Sequence, residues 1–270
     1  SAIAVMFTGL TVANILGVPF GTWLGQAYGW RATFWAVAVV GVVAFAVIAA
    51  FVPRTPAPAD AGDWRADLRA MGRAPVLLGL LTTVLGFGGM FAVFTYIAPI
   101  LTEITGFAEA AVSPILLVFG GGLVIGNLVG GKLADRHLFP ALIGTMLLLA
   151  VTLALMSFAI HDKLMAVVFV GLLGAASFAT VPALQMWVLD KAHGAGQSLA
   201  SSFNIGAFNL GNAAGAWLGG AVIAHGYGLG TVTWVGALLP LLAVGIALWA
   251  RQIERARQPS APASVVIPAD

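Results

Sequence analysis

Apolar positions along the chain gather into eight long blocks: Ile3–Ala27, Thr33–Val52, Val76–Leu101, Ala110–Leu133, Ala141–Ile160, Leu164–Leu189, Ser198–Ala224 and Val232–Ala250. Short clusters of charged residues, Pro and Gly separate them. A bilayer core of about 30 Å takes about 20 helical residues to cross, so each block predicts one membrane span. Lys132, in the last turn of the fourth block, is the one charged side chain inside any of them. Backbone groups in lipid must pair within the segment, which makes the blocks helices. The ten-residue alternation that a membrane barrel needs is absent. The fold predicted is an all-α membrane protein.

Composition agrees with the pattern: 60% of residues are hydrophobic, 8% are charged, and 34 are Gly. So few charges cannot coat a water-soluble globule of 270 residues. The net charge of +2 rests on scattered groups, with no basic run for a phosphate backbone, so no nucleic-acid partner is expected. The absence of Cys excludes disulfides, thiolate-held metals and thiol catalysis from this chain. The first residues carry neither an initiator Met nor a basic region, and read as a chain entered part-way through rather than a signal peptide. Cations mark orientation. With eight spans, Arg54, Arg65, Arg69, Arg73, Lys132, Arg136, Lys191, Arg251, Arg255 and Arg257 share one side, against Arg31 and Lys163 on the other. Both termini are therefore expected in the cytoplasm. The connection Pro53–Pro75 reads as an interfacial amphipathic segment, and the tail Gln258–Asp270, with three prolines, as disordered.

A repeat runs through the chain. Gly21-Thr22-Trp23-Leu24-Gly25 recurs as Gly215-Ala216-Trp217-Leu218-Gly219, at an offset of 194 residues. Small residues recur every fourth position in both spans: Gly9, Ala13, Gly17, Gly21 and Gly25 in one, Ala207, Gly211, Gly215 and Gly219 in the other. Such seams let another helix approach closely. Span seven lies six spans after span one, so the offset predicts two parallel six-helix halves. The chain is then the last two-thirds of a twelve-helix fold with 6+6 pseudo-symmetry. Its parts are 1–53, the last two helices of the N-terminal half; 54–75, a cytoplasmic linker; 76–251, the six-helix C-terminal half; and 252–270, a disordered tail.

Four motifs carry a family resemblance. The stretch Ala13-Asn14-Ile15-Leu16-Gly17-Val18-Pro19-Phe20-Gly21 resembles an antiporter motif, although Val18 separates Gly17 from Pro19. Gly29-Trp30-Arg31-Ala32-Thr33-Phe34-Trp35 is similar to the family's sixth-helix start. Gly131-Lys132-Leu133-Ala134-Asp135-Arg136 is similar to the second copy of a cytoplasmic loop motif, here followed by His137-Leu138-Phe139-Pro140 instead of Gly and basic residues. Ser202-Phe203-Asn204 and Phe208-Asn209-Leu210-Gly211-Asn212 look like an eleventh helix. Across nearly all 270 residues the chain resembles a major facilitator superfamily transporter, in the drug/proton antiporter branch that includes arabinose- and sugar-efflux-like permeases. The resemblance implies that span one, bent at Pro19, packs against the other half and limits leakage through Gly17, Pro19, Gly21 and Gly25. It also implies that Asp135 and Arg136 close an inner gate, with Gly211 and Gly215 as packing positions.

By the same resemblance, spans three and six line a mid-membrane cavity. Polar groups in lipid are costly unless paired. Thr95, Tyr96 and Gln185 are therefore the cavity candidates, with Phe91, Phe94 and Trp187 supplying apolar surface; Asn204 of span seven joins them as a candidate, although the reading favoured for it, as for Asn127, Asn209 and Asn212, is hydrogen bonding between helices. No charged group lies at mid-membrane. Proton antiport is thus implied by the resemblance alone, with the coupling carboxylate in helices that precede the chain. The expected activity is efflux of small amphipathic molecules or sugars by alternating access. The alternatives are a uniporter, a channel or a structural bundle without coupling. No enzyme chemistry, metal or cofactor is expected, the proton gradient being the coupling source. The expected partners are a small-molecule substrate, the lipid bilayer and the preceding helices of a monomeric protein in a bacterial inner membrane.

Overall fold

The computed structural model describes residues 2–51, 64–192 and 197–257. In chain order the elements are α1 (Ala2–Tyr28), α2 (Trp30–Phe51), α3 (Trp64–Met71), α4 (Ala74–Phe94), α5 (Ile97–Pro99) with a π-helical turn at Ile100–Ile104, α6 (Glu109–Arg136), α7 (Leu138–Ala159), α8 (Lys163–Lys191), α9 (Gln197–Ala224) and α10 (Thr231–Arg257). The described residues contain no strand. Eight of these helices are 21 residues or longer and stand where the eight apolar blocks lie. Six of the eight (α2, α4, α6, α7, α8 and α10) are long and apolar enough to cross a membrane. α1 and α9 are not among the six.

The third block is not one helix. Pro99 has no amide to donate to the Thr95 carbonyl, and its ring crowds that carbonyl. The helix accordingly stops at Phe94, Tyr96 takes φ −108° and ψ 14°, and the chain resumes in the short α5. It then widens into the π-helical turn, where the Thr105 amide donates to the Ile100 carbonyl at 3.1 Å. The Thr105 hydroxyl donates to the Ile160 carbonyl at 2.7 Å and pins this break to the end of α7. Of the 53–75 connection, α3 forms a short helix, and its remainder up to residue 63 lies outside the described residues, as does the 258–270 tail.

Local chemistry sets the other ends. Gly29, at φ 84°, reverses the chain between α1 and α2 in a single residue, a conformation that L side chains avoid. Asp162 caps α8 by accepting from the Met165 amide at 2.9 Å.

Packing joins α4 to α9 and α10, α7 to α8 and α10, and α6 to α8. Their shared core holds Met90, Met146, Leu149, Leu153, Met156, Leu173 and Leu184, each buried. At the cation-rich end, Met71, Val76, Ala192 and Ala200 form a smaller cluster. α1 lies against α6 and α2. α2 has no buried residue at all.

Helix contacts are closest at glycine seams. A Cβ on Gly215 would overlap the Gly88 carbonyl of α4, and one on Gly211 would come within 2.5 Å of the Val84 carbonyl. In α6, Gly122, Gly126 and Gly130 meet the backbone of α8 at Gly171, Ala175 and Ala179 just as closely. The seam of α1 is used differently. Gly21 and Gly25 face Thr33 of α2, at 3.4 and 3.3 Å, while nothing lies within 4 Å of a Cβ on Gly17.

Candidate functional site

Six phenylalanines from four helices meet in the bundle. Phe87, Phe91 and Phe94 recur at one-turn intervals on α4, while Phe119 comes from α6, Phe178 from α8 and Phe208 from α9. Phe94 stacks on Phe119 at 4.5 Å between centroids, and Phe87 meets Phe208 edge-on at 5.0 Å. Phe87 lies 5.9 Å from both Phe91 and Phe178, and Phe119 lies 6.5 Å from Phe178. Edge-on and offset pairs at such spacings match the quadrupoles of the rings. Phe87 and Phe119 are buried, whereas Phe91, Phe94, Phe178 and Phe208 keep part of their surface open. The result is an apolar, polarisable patch.

A polar chain lies nearer the cation-rich end. Asn204 donates from Nδ2 to Gln185 Oε1 at 2.7 Å, and Gln185 donates from Nε2 to Ser201 Oγ at 2.9 Å. This chain fastens α8 to α9. Asn204 is fully buried, and its Oδ1 has no hydrogen-bond partner.

The residues singled out from sequence fall into three groups. Phe91 and Phe94 belong to the ring cluster, and Gln185 and Asn204 bond to each other. Thr95 is exposed and donates to the Phe91 carbonyl at 2.7 Å, satisfying its hydroxyl within its own helix. Tyr96 donates to the Ala216 carbonyl of α9 at 2.9 Å, so its hydroxyl is spent on packing the broken end of α4. Trp187 is 4% exposed, against Phe139 at 5.4 Å and beneath Lys191 Nζ at 4.0 Å. The structure therefore places Trp187 in the core at the helix ends, not on an open face. Lys191 itself bridges to Glu254 of α10 at 2.8 Å and to Asp190 at 3.1 Å.

Pro19 is buried at the meeting of α1 and α6, where the Ser113 hydroxyl donates to its carbonyl at 3.2 Å. Gln26 Nε2 donates to the Glu109 carbonyl at 3.0 Å on the same contact. Asp135 and Arg136 are exposed at the end of α6. Sequence reasoning missed Phe87, Phe119, Phe178, Phe208 and Ser201. For Phe87 a signal existed, since it completes the one-turn spacing of Phe91 and Phe94. The others sit on separate helices, and nothing in their local sequence ties them to α4.

Among the described residues of the long helices charge stands at the helix ends, rings gather within the bundle with amides nearer its cation-rich end, and the helices are long and apolar. Those features define a multi-pass helical membrane protein. The Major Facilitator Superfamily model matches residues 1–200, and the chain belongs to that family. The inner membrane transport protein YdhP of Escherichia coli (strain K12) is 46% identical over 244 residues, covering 90% of this chain and 62% of that protein. The chloramphenicol resistance protein of Streptomyces lividans is 37% identical over 253 residues, covering 91% of this chain and 63% of that protein. The chain thus spans less than two-thirds of the length of these relatives. In three dimensions it is similar to a bacterial homologue of the human lysosomal transporter Spinster, crystallised inward-facing and unoccupied. The TM-score is 0.64 at 17% identity, over 96% of this chain and 72% of that one, a likeness of fold.

Proposed function

We propose that the protein carrying this chain is a secondary-active efflux transporter that exports small amphipathic molecules by alternating access. The six-ring cluster carries the reading. A ring patch with the unpartnered Asn204 Oδ1 one turn from Phe208 accepts molecules that combine an apolar face with polar groups, and it suits them better than it suits sugars, which present hydroxyls on most faces. The chloramphenicol resistance protein among the relatives supports the efflux direction. In this reading all eight long helices cross the membrane, and α1 and α2 belong to one six-helix half while α4 and α6 to α10 form the other. Both termini of the chain lie in the cytoplasm of a bacterial cell. Proton antiport is the coupling we assign, through a group elsewhere in the protein, because charged residues of the described helices stand at helix ends.

The test is chloramphenicol export by the full-length protein in cells lacking their own exporters. Phe91→Ala and Phe178→Ala each take away one ring that the substrate can pack on, and an aromatic pair is worth about 0.5–1.5 kcal/mol, so each should weaken export about 2- to 13-fold at unchanged protein abundance. A protonophore should abolish export. Export indifferent to both substitutions would overturn the site. Export down its gradient that survives the protonophore would replace antiport by uniport.

A further inference from the structure

A groove at the cation-rich end of the bundle plays no part in the ring site. α7 leaves α6 there to pack on α8 and α10, and a space of about 490 Å³ opens between them. Leu133 of α6 and Leu148 of α7 form its walls, 44% and 53% exposed, with Pro140 and Gly144 between them. The body of the groove is apolar, since the Thr145 hydroxyl beside it donates to the Ala141 carbonyl at 2.8 Å. Its mouth is cationic. Arg136 and His137, at the junction of the two helices, both line it. Asp135 shares the last turn of α6 but does not line the groove, and Arg251 is held over Phe139 at 3.9 Å.

We propose that this groove binds an anionic phospholipid, with an acyl chain along Leu133, Gly144 and Leu148 and the phosphate against Arg136 and His137. An apolar trough with a guanidinium and an imidazole at one end complements a lipid that joins an acyl chain to a negative headgroup. Gly144 makes the trough: nothing lies within 4 Å of the position its Cβ would take, so the floor is bare backbone.

The purified full-length protein in detergent is titrated with dioleoyl-phosphatidylglycerol or dioleoyl-phosphatidylcholine, and retained lipids are counted by native mass spectrometry. The wild type should hold one phosphatidylglycerol at least about fivefold more tightly than phosphatidylcholine, the effect of one cation at a membrane surface. The double variant Arg136→Gln/His137→Gln should lose that preference. Gly144→Phe puts a ring into the trough from a position where an added Cβ meets nothing within 4 Å, and should release the bound lipid of either kind. Equal affinity for the two lipids in the wild type would overturn the proposal. So would a preference that survives in the double variant, or retention unchanged by Gly144→Phe.

Discussion

Gln185 is a polar exception in an apolar run, and its neighbours decide what it does. It accepts from Asn204 and donates to Ser201, so both ends of its amide are spent on α9. Gln185→Ala would leave the Asn204 amide without its acceptor, beside an Oδ1 that already has no partner. Side-chain hydrogen bonds between membrane helices are worth about 0.6 kcal/mol on average and up to about 1.7. Thermal unfolding in detergent should therefore show a lower midpoint for Gln185→Ala, by an amount matching about 1 kcal/mol; an unchanged midpoint would leave Gln185 free to serve substrate instead. That Gln185 and Asn204 matter was legible from their polarity. Their partnership was not, because it depends on how α8 and α9 face each other. Trp187 shows the same limit. α8 is apolar nearly all round, so its sequence carries no stripe to say which side is inward, and Trp187 turned out to be pinned between Phe139 and Lys191.

Elements meet where side chains are missing. Gly126 in α6 and Gly215 in α9 each put bare backbone against a carbonyl of the facing helix, Ala175 and Gly88 respectively. A methyl group there must push two backbones apart, and overpacking of this kind costs about 1–3 kcal/mol or more. Gly126→Ala and Gly215→Ala should each cut the amount of folded protein in the membrane and lower its melting temperature. Gly121→Ala in α6 is the control, since its Cβ meets nothing within 4 Å and should change neither. Size-exclusion profiles and melting curves separate these outcomes, and a Gly215→Ala protein as stable as the wild type would refute the seam. The four-residue spacing made the seams of α1 and α9 readable in advance. Their partners were not: α9 closes on α4, while Gly21 and Gly25 of α1 close on Thr33 of α2. The seam of α6 went unread because the four-residue spacing of Gly122, Gly126 and Gly130 is masked by the adjoining Gly120, Gly121 and Gly131. The break after Phe94 was hidden as well. Hydropathy runs straight through Pro99, and only the loss of one amide donor separates a long helix from a broken one.

At the scale of the whole molecule, charge placement makes the strongest demand. Lys191 bridges to Glu254, Arg251 covers Phe139, and Arg136 and His137 stand at the groove mouth, so α6, α8 and α10 bring most of their cations to one end, with Lys163 at the start of α8 standing at the other. Lys and Arg are retained on the cytoplasmic side of short loops, so on the topology proposed above the cation-rich end lies inside the cell and the α9–α10 turn outside. The chain contains no Cys, so thiols introduced into it report position with no background from its own residues. Tyr227, in that turn, is 71% exposed, and Arg255 is exposed in the last turns of α10. In intact cells producing the full-length protein, a membrane-impermeant maleimide should label Tyr227→Cys and leave Arg255→Cys unmodified until the cells are opened. Labelling of Arg255→Cys in intact cells, with Tyr227→Cys protected, would invert the molecule in the membrane. The lipid groove would then face the outer leaflet, and the proposed path of export would have to run the other way through the same ring cluster.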